Sequence, residues 1–87
     1  MFPNITLGGD TFKTWPPAQR RDEIRKLVEG FRSGLPLGIL LRMTEEIAGS
    51  RKKARKHLLE LLTADERQAA VDKEVGGMKV LATEMLL

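Results

Sequence analysis

The sequence predicts an all-α protein: a compact four-helix domain with a short N-terminal β-hairpin or arm. Three observations predict it. Three segments carry stripes of apolar residues with the periodicity of a helix that buries one face. A fourth, Leu35 to Ala48, is apolar on more than one side, as a helix packed between others must be. Ser50 and Thr63 stand where helix-capping residues belong, just ahead of periodic segments. At 87 residues the chain has room for one core, so the whole of 1–87 is read as a single domain.

The first 13 residues are read as the hairpin or arm. Ile5-Thr6-Leu7 and Asp10-Thr11-Phe12 flank a Gly8-Gly9 turn, placing Ile5 opposite Phe12. The first helix is predicted near 16–31, opened by Thr14-Trp15-Pro16-Pro17, because a proline in the first turn gives up an N–H that has no partner there anyway. Ile24, Leu27, Val28 and Phe31 form its buried stripe, and Asp22 with Lys26 is spaced for an outward i,i+4 pair. Trp15, the single tryptophan, is expected to close one end of the core.

The second helix, near 36–48, contains Leu37, Ile39, Leu40, Leu41, Met43 and Ile47, with Gly38 admitting a close neighbour. The third, near 51–62, follows Gly49 and the N-cap Ser50, and its stripe is Ala54, Leu58, Leu61 and Leu62. Thr63-Ala64-Asp65-Glu66 is a capping box that starts the last helix, near 64–86. There Val71, Val75, Met78, Ala82 and Met85 recur with 4-3-4-3 spacing, interrupted by Gly76-Gly77. That stripe and the apolar end Met85-Leu86-Leu87 predict self-association, a homodimer through 71–87. Leu27, Phe31, Leu40, Leu58 and Leu61 are the expected core.

The distribution of charge is the strongest functional signal. The chain carries 15 Lys/Arg and 12 Asp/Glu, a net charge of +3. Five of those cations lie in 51–57, and the rest of the chain sums to −2. The excess is therefore one patch, which suits a specific anionic partner, although a solvated helix face is the common origin of such runs. Arg51, Lys52 and Lys53 in a first turn oppose the helix dipole, and Arg51/Arg55 and Lys52/Lys56 are like-charge i,i+4 pairs. Each arrangement costs roughly a few tenths of a kcal/mol, and a docked anion would relieve it.

Several classes of chemistry find no support. There is no cysteine, which removes disulfides and thiolate metal sites. His57 is the only imidazole, so neither a histidine metal site nor a Ser-His-Asp triad is visible. No phosphate-cradling glycine loop is present, and no apolar run approaches membrane-spanning length. The expectation is a cytoplasmic, non-enzymatic protein with no cofactor, no metal and no membrane partner.

The segment Thr44-Glu45-Glu46-Ile47-Ala48-Gly49-Ser50-Arg51-Lys52-Lys53-Ala54-Arg55-Lys56-His57-Leu58 resembles a bacterial helix-turn-helix, with a Glu-Ile-Ala helix, a turn glycine and a Ser-Arg helix. It departs from that pattern in the adjacency of Ala48 and Gly49, and in Arg55 where an apolar residue is usual. The resemblance implies that Ser50, Arg51, Lys52 and Arg55 face DNA, with Lys53, Lys56 and His57 nearer the phosphates. Two functions are expected from these residues. One is a small DNA-binding regulatory protein contacting phosphates through 51–62. The other is a phage- or plasmid-type inhibitor or adaptor that docks on a nucleic-acid-handling protein, with Leu59 as an apolar contact amid the charge.

Overall fold

The computed structural model describes residues 15–87, and the N-terminal hairpin or arm expected over 1–13 lies outside them. Among the described residues five helices follow in order: α1 Pro17–Arg32, α2 Leu37–Ala48, α3 Arg51–Leu61, α4 Ala64–Lys73 and α5 Gly76–Leu86. The first three match the sequence reading to within a residue at each end. The fourth predicted helix does not, because it is two.

The break falls at Glu74-Val75, both extended, and the chain re-enters a helix at Gly76 with φ +62. That left-handed conformation suits glycine, and two adjacent glycines disfavour an uninterrupted helix by about 1 kcal/mol each. The turn lets α5 fold back against α4 and reach α3. It also cuts the 4-3-4-3 stripe. Val71, Ala82 and Met85 are buried, whereas Val75 is 80% exposed. Met85 and Leu86 are wholly buried within this one chain, so most of the apolar surface that suggested a dimer through 71–87 covers the protein's own core. Val75, Val80 and Leu87 stay exposed.

α2 lies centrally, against α1, α3 and α5. Leu37, Leu40, Leu41, Ile47 and Ala48 are buried on it, although Ile39 faces solvent. Its one buried polar side chain, Thr44, donates its hydroxyl to the Leu40 carbonyl at 2.6 Å, so no polar group is left unpaired there. A Cβ at Gly38 would stand 3.0 Å from the Met78 methyl group, the close approach of α5 that a glycine permits. Around α2 the core gathers Ile24 and Val28 of α1, Ala54 and Leu58 of α3, and Ala70 and Val71 of α4. Trp15, Leu27, Phe31 and Leu61 pack on its rim, half-buried, and not at its centre.

Polar contacts lock the helix ends. The Thr63 capping box is complete: Thr63 Oγ1 accepts from the Glu66 N–H at 3.1 Å, and Glu66 Oε1 accepts from the Thr63 N–H at 2.9 Å. Arg32 meets the same carboxylate with two parallel bonds, Nε to Oε2 at 2.9 Å and Nη2 to Oε1 at 3.0 Å, and also reaches the Leu61 carbonyl. Three helices thus share one junction. At the other end of the chain, Arg55 and Arg67 donate to the carbonyl oxygens of Leu87 and Leu86, the C-terminal acceptors of α5. On α1, Asp22 pairs with Arg25 and Glu23 with Lys26, both at i,i+3, in place of the expected Asp22–Lys26 pair.

Two consequences are measurable. Leu58→Ala, at a site with no exposure, should cost about 2–5 kcal/mol in chemical denaturation, while Val80→Ala on the exposed side of α5 should change little. The Arg32 guanidinium and the Thr63 N–H hold the Glu66 carboxyl at about 2, below its ordinary 4.5. Its contribution to stability is therefore complete above about pH 4.5 and lost as pH falls through about 2. Glu66→Gln keeps an acceptor for Thr63 but removes the charge. It should flatten the dependence of stability on pH in that window.

Candidate functional site

Everything about the basic helix follows from how α3 is rotated. Gly49 ends α2 in the left-handed region, φ +95, with its N–H on the Glu45 carbonyl. One residue later Ser50 caps α3, its hydroxyl accepting from the Lys53 N–H at 3.2 Å. The turn is thus only Gly49-Ser50. With Ala54 and Leu58 wholly buried, the 100° step per residue assigns every other side chain of α3 to a side.

One flank faces α5. Arg51, the first helical residue, bonds Glu84 at 2.7 Å and lies 3.4 Å from Glu45. Arg55, one turn on, reaches the Leu87 oxygen at 3.0 Å. These two arginines, which the helix-turn-helix resemblance placed against DNA, are engaged in holding α3 to its neighbours. They also show how the adverse first-turn charge is tolerated: two carboxylates from other helices stand beside Arg51.

The outer face carries Lys52 and Lys56, both exposed, one turn apart and opposite the buried stripe. Lys53 is exposed on the next shoulder. None of the three side chains forms an ion pair or hydrogen bond among the described residues, whereas Arg25, Lys26, Arg32 and Arg51 all have carboxylate partners. Leu59, half-buried, and Glu60, exposed, complete that face, so an acid and an apolar side chain sit at its C-terminal end.

The opposite flank meets α1, and here the structure adds residues that the sequence reading did not select. A cleft runs between the start of α1 and the middle of α3, lined by Trp15, Pro17, Arg20, Ala48, Lys53 and His57. Arg20 is fixed at its base, donating Nε to the Trp15 carbonyl at 3.2 Å and Nη1 to the Ala48 carbonyl at 3.3 Å. Burial holds the His57 imidazole below its ordinary 6.5; Glu60 pulls it back up, while Arg21 and Lys56 push it further down. Arg20 and Arg21 therefore extend the basic patch from α3 onto α1. Their place in the sequence, 30 or more residues upstream on a helix of mixed charge, gave no sign of it.

Among the described residues no group of three or more metal-ligating side chains converges, and no helix is long and apolar enough to cross a membrane. The chain matches no protein-family profile, no curated protein and no solved structure.

The division of labour around α3 makes a direct prediction. Arg51→Ala removes two ion pairs, worth up to about 1 kcal/mol each, against a dipole relief of a few tenths. It should lower the melting temperature. Lys52→Ala should leave it unchanged or slightly raised, and thermal unfolding followed by circular dichroism distinguishes the two.

Proposed function

We propose that the protein binds nucleic acid, through phosphate contacts made by Lys52, Lys53 and Lys56 on the outer face of α3. The observation that carries this reading is the pattern of pairing. Carboxylates stand beside Arg25, Lys26 and Arg32 of α1 and Arg51 of α3, yet the exposed Lys52, Lys53 and Lys56, close together on α3, have none among the described residues. Lysine is a compact, mobile charge suited to phosphate oxygens and indifferent to base sequence. Arg20 and Arg21 prolong the positive surface across α1. With Arg51 and Arg55 tied to α5, binding rests on the phosphate backbone more than on base edges, and a regulatory DNA-binding role would need residues beyond these to read sequence.

One observation favours a second reading. Leu59 shares the outer face with the lysines, and an apolar side chain amid charge suits a protein surface better than a phosphate row. A phage- or plasmid-type inhibitor or adaptor docking on a nucleic-acid-handling protein would use it.

A salt titration of binding to a generic duplex separates these. Three lysine–phosphate contacts give a slope of log affinity on log salt of about −3. The double variant Lys52→Glu/Lys56→Glu should abolish binding while melting within a degree or two of the parent. Neither side chain fills a cavity. The first-turn glutamate gains a few tenths of a kcal/mol from the dipole, and the second loses about as much beside Glu60. A duplex left unbound at low salt would move the assignment to the protein partner. A fall in melting temperature with binding unchanged would return the lysines to an ordinary solvated face.

A further inference from the structure

The turn between α4 and α5 joins two helices whose apolar pattern is continuous. Val71, Val75, Met78, Ala82 and Met85 keep their 4-3-4-3 spacing straight through it, yet the chain breaks at Glu74-Val75 and leaves Val75 80% exposed. Little holds the break itself. The Glu74 N–H bonds the Val71 carbonyl at 3.1 Å, and the first bond of α5, from the Lys79 N–H to the Val75 carbonyl, is long at 3.4 Å. A Cβ would meet nothing within 4 Å at either Gly76 or Gly77, so glycine is required there only by the left-handed φ +62 of Gly76. What anchors α5 lies elsewhere, in its contacts with α3, α4 and α2. Ala82, Met85 and Leu86 have no exposure, Glu84 bonds Arg51 at 2.7 Å, and the Leu86 and Leu87 carbonyls accept from Arg67 and Arg55.

We propose that this turn is a hinge on which α5 exchanges between two copies of the chain, each copy's α5 filling the place of the other's. Every tertiary contact of α5 reforms between copies, because none of them requires that α5 and α3 belong to one chain. Only Glu74, Val75 and Gly76 change conformation, from extended and left-handed to helical, which fuses α4 and α5 into one helix over 64–86. The opening gains backbone bonds across the former turn and brings Val75 into line with Val71 and Met78, where the two copies' hinges meet and cover it. Against it stand two glycines in a helix interior and the lost freedom of joining two chains. The balance therefore favours the single chain when dilute and the exchanged pair when concentrated. Such a dimer is independent of the phosphate reading. α5 meets α3 on the flank of Arg51 and Arg55, leaving Lys52 and Lys56 outward in either state.

A change at the hinge and a pair of charge reversals test the exchange. Sedimentation velocity on the full chain should show a monomer when dilute and a growing dimer at high micromolar concentration. Gly76→Ala/Gly77→Ala strains the turn and favours the fused helix, so it should raise the dimer fraction several-fold, with stronger helical circular dichroism. Exchange itself is identified with Arg51→Glu and Glu84→Arg on separate chains, unfolded together and refolded as a mixture. Each alone sets like charges across α3 and α5. In a mixed, exchanged dimer every α3 meets an α5 of opposite charge at this pair, so native mass spectrometry should find mixed dimers in clear excess over either homodimer. A dimer formed by contact of outer faces keeps the like charges within each chain and shows no such excess, which overturns the proposal. So does a parent chain that stays monomeric throughout, or a folded double-alanine variant with no more dimer than the parent. If that variant fails to fold, the mixed refolding is read with the parent hinge at high micromolar concentration, where the lack of a mixed excess is equally decisive.

Discussion

The burial of Ala54 and Leu58 against α1, α2 and α5 sets the rotation of α3 about its own axis, and the rest of the molecule is arranged on that rotation. Once those two side chains point inward, Arg51 and Arg55 turn toward α5, Lys53 and His57 toward α1, and Lys52 and Lys56 toward solvent. A helix with seven polar or charged residues in eleven holds its place through few apolar contacts. Gly49 and Ser50 supply the rest of the constraint, because a two-residue turn with a left-handed glycine and a bonded cap leaves little freedom in how α3 leaves α2.

Charge is distributed by the same geometry. The arginines of α3 meet acceptors within the protein, and arginine is suited to that work because its planar fork fits a carboxylate or a terminal carbonyl. The lysines of α3 meet none among the described residues. A similar economy appears at the Arg32–Glu66 junction, where one carboxylate both caps α4 and receives a guanidinium that also bonds the end of α3. Such contacts at an exposed surface are individually weak, but shared between helix ends they fix the relative positions of α1, α3 and α4.

Much of this was legible in the sequence, for local reasons. The Ser50 cap, the Thr63 capping box and the stripes of α1 and α3 are encoded within a turn or two of chain, so spacing alone locates them. The break before Gly76 was visible as a glycine pair, yet the heptad-like stripe pointed the other way. Tertiary packing decided it, since α5 buries Met85 and Leu86 only by folding back. Charge partners were less legible. The sequence shows that Arg51 opposes the dipole, but Glu45 and Glu84 stand 6 and 33 residues away, and the second of these is brought near only by the fold. Arg20 and Arg21 joined the basic patch for the same reason.

The central claim is that the outer face of α3, with Lys52, Lys53 and Lys56 exposed together, receives a phosphate-bearing partner. Backbone amide shifts in nuclear magnetic resonance, followed while a short generic duplex is added at low salt, test it residue by residue. The account predicts perturbations confined to Trp15–Arg21 and to the outer and α1-facing positions of α3, from Lys52 to Glu60. Shifts centred on α4 and on the exposed side of α5 around Val80, with α3 unmoved, would contradict it.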